Sequence, residues 1–200
     1  QARFSSEQEL NQLDLTTQEI NHFQQILSSL LYPNAVLRAD LATLAANQEG
    51  KENLWTYAIS GDNPILLVRI DNQEDTTLVG DLLRAHAYWR KRNIKIDLVI
   101  LNLQDIGYSQ ELHNRLHQML NYRGDDVWLN RSGGIFILRA DQMNSTQRVL
   151  LETAARVLLD AHQGGLIEQP LVLKRQPMRL PSFTPTLVPP ENERFTQPLT

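Results

Sequence analysis

Three short apolar runs, Ile65-Leu66-Leu67-Val68, Leu98-Val99-Ile100-Leu101 and Ile135-Phe136-Ile137-Leu138, constrain the fold more than any other feature of this chain. A strand with one wet face alternates apolar and polar residues. A strand covered on both faces reads as a continuous apolar run, which is the pattern of parallel sheets with helices on both sides. Segments of helical period separate the three runs. The order strand, helix, strand, helix, strand predicts an α/β fold in three layers, with a mostly parallel sheet and right-handed crossover helices. Ile65–Ile70, Leu98–Leu101 and Ile135–Leu138 are expected side by side and parallel.

The helices can be placed from their caps and apolar spacing. Thr16 with Glu19 is a capping box, and Ile20, Phe23, Leu27, Leu30 and Leu31 then recur at helical spacing until Pro33. Asp40 is the N-cap of a shorter helix to Ala46, with Leu41, Leu44 and Ala45 on one face. The first crossover helix runs from about Asp75 to Lys91 and buries Leu78, Val79, Leu82, Leu83, Ala85 and Trp89. The cluster Arg90-Lys91-Arg92 at its end offsets the negative end of the helix dipole. The second helix runs from about Ser109 to Asn121 through Leu112, Leu116, Met119 and Leu120. A third starts at Asn144 or Ser145 and carries Val149, Leu150, Ala154, Val157 and Leu158 until Gly164-Gly165 stops it.

This divides the chain into a helical lead (1–50), an α/β domain (51–169) and a Pro-rich linker or arm (170–200). The arm holds Pro177, Pro181, Pro185, Pro189, Pro190 and Pro198 with little apolar periodicity, so it is expected to be extended unless a neighbouring module holds it. Such an arm suggests a chain cut from, or packed against, something larger. The formal net charge of −4 argues against a general nucleic-acid binder. No apolar stretch approaches the length of a membrane span, and the N-terminus has no signal-peptide pattern. With no cysteine there is no disulfide, thiolate nucleophile or Cys-based metal site.

Each candidate site carries two readings. Asp62, in Ser60-Gly61-Asp62-Asn63-Pro64, could act as an acid, base or ligand, or it could serve the turn, since Asp and Asn bond nearby backbone and Pro fixes strand entry. Glycoside hydrolysis needs two carboxylates, and Asp62 alone is one. His86, Trp89 and Arg90 share a helix face that resembles either a sugar platform or the packed end of an amphipathic helix. His113 and His117 have the i, i+4 spacing of zinc ligands, but two ligands are too few and Arg115 is an unfavourable neighbour, so a solvated helix face is expected. Asp71, Asn102 and Asp105 fall at the C-terminal ends of the first two strands, the edge where open α/β sheets bind ligands. The loop Asp71-Asn72-Gln73-Glu74-Asp75 has no glycine, which disfavours a nucleotide-phosphate cradle. Gly133-Gly134 lies before its strand and reads as a turn.

Four segments in order resemble a region of the large cyclic β-1,2-glucan synthases and their phosphorylase-like relatives, formerly glycosyltransferase family thirty-six. They are Ser28-Ser29-Leu30-Leu31-Tyr32-Pro33-Asn34 with Leu37-Arg38-Ala39; Leu54-Trp55-Thr56-Tyr57-Ala58-Ile59-Ser60-Gly61-Asp62-Asn63-Pro64-Ile65; Ala85-His86-Ala87-Tyr88-Trp89-Arg90 with Asp97-Leu98-Val99-Ile100-Leu101-Asn102; and Gly133-Gly134-Ile135-Phe136-Ile137-Leu138-Arg139-Ala140-Asp141-Gln142. The chain departs from the family pattern at Ala58, where glycine is common, at Asn63, where an apolar residue is common, and at Leu103, where an acidic residue often follows the asparagine.

The resemblance implies the α/β region before a phosphorylase-like module whose catalytic acid lies on a barrel absent from this chain. It further implies a parent in the cytoplasmic portion of a bacterial inner-membrane protein, using UDP-glucose, a divalent metal and inorganic phosphate. No cofactor, metal or catalytic residue is expected in this segment, which reads as a non-catalytic interdomain module partnered by neighbouring modules of the same polypeptide. The competing reading is a carbohydrate-binding or carbohydrate-acting domain that contacts β-glucan through Trp55, Tyr57, Asp62, His86 and Trp89. A receiver-like signalling domain ranks last, because Asp71 and Asp97 do not sit at equivalent strand ends.

Overall fold

A computed structural model describes residues 15–32, 34–104 and 109–169. The Pro-rich arm and Asp105 lie outside these residues. In chain order the elements are α1 (Thr17–Leu31), α2 (Leu41–Ala46), β1 (Ile65–Ile70), α3 (Thr76–Lys91), β2 (Asp97–Asn102), α4 (Ser109–Arg123), β3 (Ile135–Arg139), α5 (Ser145–Ala154) and β4 (Val157–Asp160). A 3-10 segment, Lys51–Tyr57, precedes β1.

The four strands form one sheet in the order β3-β2-β1-β4, and every pairing is parallel. Ile65 aligns with Asp97, Leu98 with Ile135, and Leu66 with Val157. The three strands expected from the apolar runs are therefore present and adjacent. Their continuous apolar character has the expected cause. Leu66, Val68 and Ile70 of β1, with Leu98 and Ile100 of β2, enter one core beneath α1, α3 and α4. Ile65 and Leu67, with Val99, Leu101 and Phe136, enter a second core beneath α5 and the 3-10 segment. The period-2 pleat sends alternate residues to opposite faces, so covering both faces requires both sets to be apolar.

The capping box of α1 forms as the sequence indicates, Glu19 N donating to Thr16 Oγ1 while Thr16 N donates to Glu19. Asp40 caps α2 through Thr43 N at 2.7 Å. That helix, however, buries none of its residues, and Leu41 is exposed. Asn144 and Gln147 form a second capping box at α5.

One element corrects the sequence reading. The third helix does not run to Gly164-Gly165. It ends at Ala154, Ala155 turns extended (φ −62°, ψ 129°), and Val157–Asp160 becomes β4 beside β1. Val157 and Leu159 then enter the first core. These apolar positions continue the helical spacing of α5, but burial between β1 and the helical layer repays strand formation more than one further helical turn would.

Two of the departures from the family pattern fall at positions with a specific local role. Ala58 caps the 3-10 segment in the left-handed region (φ 60°, ψ 16°), a conformation that favours glycine. Asn63 donates to Asp97 Oδ1 at 3.1 Å and to Ser132 Oγ at 2.9 Å, tying the entry of β1 to β2 and to the turn before β3. Gly134 is required sterically: a Cβ there would collide with the carbonyl oxygen of Trp128.

Candidate functional site

Sheet order β3-β2-β1-β4 means that the chain winds outward from β1 to β3 and then returns to the other side of β1. The helix of the first two crossovers lies on one face and α5 on the other. The loops leaving the C-terminal ends of β1 and β4 meet through the His162–Asp71 pair, and the crevice they form lies at the strand ends where open α/β sheets bind ligands. Here it has a volume of about 630 Å³ and is lined by Asn72, Glu74, Asp75, Thr77, Leu78, Ala161, His162, Gly164, Gly165 and Glu168.

The polar groups at this edge are largely consumed by the fold. Asp75 Oδ2 accepts from the backbone N–H of Asp71 (2.9 Å) and Asn72 (3.2 Å), and Asn72 Oδ1 accepts from Glu74 N and Asp75 N. Asp71 pairs with His162 Nε2 at 2.7 Å. Arg69 on β1 reaches Asp160 on β4 at 2.8 Å and Glu152 on α5 at 3.3 Å. The crevice rim is acidic, with Glu74, Asp75 and Glu168 against one imidazole, which opposes a phosphate. Asn102 is buried at the end of β2, where its Oδ1 accepts from Gln104 N at 2.9 Å.

The residues expected to contact carbohydrate are not brought together. Trp55 is 64% exposed, and its Nε1 donates to the carbonyl of Ser60 at 3.3 Å, which fixes the ring. Asp62 lies in the turn before β1, at the opposite, N-terminal edge of the sheet, and pairs with Lys51 at 2.8 Å with both side chains exposed. Tyr57 is half-buried and faces the end of β3. Trp89 and His86 are buried, which corrects the platform reading. Trp89 packs edge-on against Phe23 in the first core, and no ring face is open to a sugar. Arg90 of the same face pairs with Asp125 and lies over the Trp128 ring at 4.1 Å.

His86 is structural. Its Nε2 donates to the carbonyls of Ile96 and Gly133, each at 3.1 Å, joining the starts of β2 and β3. Burial, reinforced by the nearby Arg90 charge, lowers its pKa to about 4, so the ring is neutral. Asp97, also fully buried, accepts from Gly133 N at 2.7 Å, and burial pushes its carboxyl up. Sequence patterning gave no sign that this carboxylate, which opens an apolar strand, is buried and ties β2 to the turn before β3.

A second, half-open pocket lies beside the end of β3. It has a volume of about 240 Å³ and is lined by Tyr57, Gln110, His113, Ile137, Leu138, Arg139 and Gln142. His113 and His117 meet through their Nε2 atoms at 3.2 Å, and burial lowers the His113 pKa. Among the described residues no cluster of three or more His, Cys, Asp or Glu could hold a metal ion. Of these lining residues only Tyr57 and His113 were weighed as site candidates from the sequence. The usable signal was Arg139-Ala140-Asp141-Gln142 at the C-terminal end of the third apolar run, the same strand edge that made Asp71 a candidate.

No protein-family model matches the chain. The cyclic beta-(1,2)-glucan synthase NdvB of Rhizobium meliloti (strain 1021) is 33% identical to it over 165 residues, 82% of this chain. The chain is related to the cyclic β-1,2-glucan synthases. It spans only 6% of the length of that relative and so matches a domain-sized stretch of it. No helix among the described residues is long and apolar enough to cross a membrane.

Proposed function

We propose that this α/β domain is a non-catalytic interdomain module of a large protein that makes or phosphorolyses β-1,2-glucan. The observation that carries the reading is the state of the carboxylates at the ligand-binding edge. Asp75 is spent on backbone amides, Asp71 on His162, and Asp160 and Glu152 on Arg69. Groups held in place as hydrogen-bond acceptors for the fold are poorly suited to acid, base or nucleophilic work, which needs a carboxylate aimed at a reacting atom. The acidic crevice and the glycine-free loop after β1 also oppose a sugar-nucleotide diphosphate.

UDP-glucose, a divalent metal and inorganic phosphate are on this reading handled by other modules of the same polypeptide, on the cytoplasmic side of an inner membrane. One observation favours a second role, glucan contact: Trp55 keeps an exposed ring of fixed orientation. The test is to incubate the purified chain with β-1,2-glucan, with and without phosphate, UDP-glucose and Mn²⁺, and to follow released or incorporated glucose. The reading expects no turnover. Turnover abolished by Asp62→Asn or Asp71→Asn would replace it with an enzymatic one.

A further inference from the structure

We propose that the half-open pocket at the end of β3 is a binding site for one uncharged, hydroxyl-bearing ring, such as a glucosyl unit. Its position agrees with the rule for α/β sheets, since it lies at the C-terminal edge, against Leu138 and Arg139. Its volume of about 240 Å³ is below that of pockets for drug-sized ligands, roughly 300–1,000 Å³, which favours a single ring over a dinucleotide.

The chemistry of the lining selects the ligand class. Arg139 is the one permanent cation of the wall, and its charge is offset by Asp141, which takes both its Nε and Nη2, while its Nη1 donates to Gln110 Oε1 at 3.0 Å. Burial, then the neighbouring His117 and Arg139, lowers the His113 pKa and so disfavours its charged form. Burial likewise keeps the Tyr57 hydroxyl protonated. The pocket thus offers no net positive charge to a phosphate or carboxylate.

What it does offer is hydrogen bonding. The buried Nδ1 of His113 has no partner, and the Tyr57 hydroxyl and the Gln142 amide belong to side chains that line the same pocket. An unpaired buried polar atom is destabilising, so a ligand hydroxyl that reaches His113 recovers a penalty the fold already bears. Ile137 and Leu138 supply the apolar wall that the C–H face of a sugar ring requires. The argument for a neutral polyol stands on the pocket alone. The choice of a β-1,2-linked glucose disaccharide as probe rests on the proposed place in a glucan-handling protein.

The test is an amide chemical-shift titration of the purified chain with that disaccharide, with inorganic phosphate as a separate arm. The expected result is saturable shifts at Gln110, His113, Leu138, Arg139 and Gln142, weakened at least tenfold in Gln142→Ala and in His113→Phe. Gln142 is exposed, so its variant keeps the fold intact. Absence of saturable shifts there, shifts centred on Trp55 instead, or stronger perturbation by phosphate than by the disaccharide would each overturn the proposal. None of these outcomes bears on turnover, so the non-catalytic reading is judged separately.

Discussion

His86 makes stability depend on pH in a direction and amount that follow from its surroundings. It is 1% exposed, donates from Nε2 to two carbonyls, and has a pKa lowered to about 4 from 6.5, burial being the main cause and Arg90 the second. The two carbonyl hydrogen bonds and the charge of Asp125 oppose the shift without cancelling it. Between pH 6.5 and 4 the unfolded chain binds a proton that the folded chain refuses. Stability is therefore full above about pH 6.5 and is lost as pH falls toward 4. Taking the ratio of the two proton-binding polynomials, the loss attributable to His86 is about 2 kcal/mol at pH 5.

The assay is urea unfolding at pH 7.5 and pH 5 for the parent chain and for His86→Gln, whose amide can still donate to a carbonyl but does not titrate. Asp97 and His113 titrate in both proteins, so the difference between the two pH dependences isolates His86. The variant is expected to lose about 2 kcal/mol less than the parent over this interval. A direct check is the His86 ring resonance, which should not titrate above pH 5. Equal pH dependence in the two proteins, or a ring that titrates near 6.5, would refute the reasoning.

Ala58→Gly should raise stability by about 0.5–1 kcal/mol, because relief of the left-handed strain exceeds the added chain entropy; thermal unfolding measures it. Gly134→Ala should lower stability by 2 kcal/mol or more, roughly, since its Cβ would press on the Trp128 carbonyl and lie 2.6 Å from that of Arg131; the same unfolding series reads it. Asn144→Ala removes the α5 capping box and should cost about 1 kcal/mol, with faster amide exchange confined to the first turn of that helix.

The three long strands were legible because each is apolar on both faces, and the sheet that results indeed buries both. The fourth was not. Val157-Leu158-Leu159-Asp160 is four residues long, follows α5 with no glycine or proline between, and keeps the helix period through Val149, Leu150 and Ala154, so only pairing with β1 distinguishes it. Without β4 the strand order was incomplete, and the crevice between β1 and β4 could not be located.

The helix face of His86 and Trp89 posed a different difficulty. Leu82, Leu83, Ala85, Tyr88 and Trp89 bury α3 on most sides, so the spacing that placed His86 and Trp89 on one face could not say whether that face was wet. The pocket beside β3 was illegible for a simpler reason. It draws on the 3-10 segment, α4 and β3, and no local pattern announces that three such elements converge.

The claim at the centre of this account is that the domain positions other modules and performs no chemistry. On the proposed place in a glucan-handling protein, it is tested most directly in that full-length parent, by replacing Asp62, Asp71 and Asp160 singly with asparagine and measuring glucosyl transfer at saturating donor. The account predicts a kcat within about twofold of the parent for every variant that assembles normally, because a positioned but unreacting carboxylate lowers no barrier. A loss of a hundredfold or more in kcat, with assembly and donor KM unchanged, would place a reacting carboxylate in this domain and contradict it.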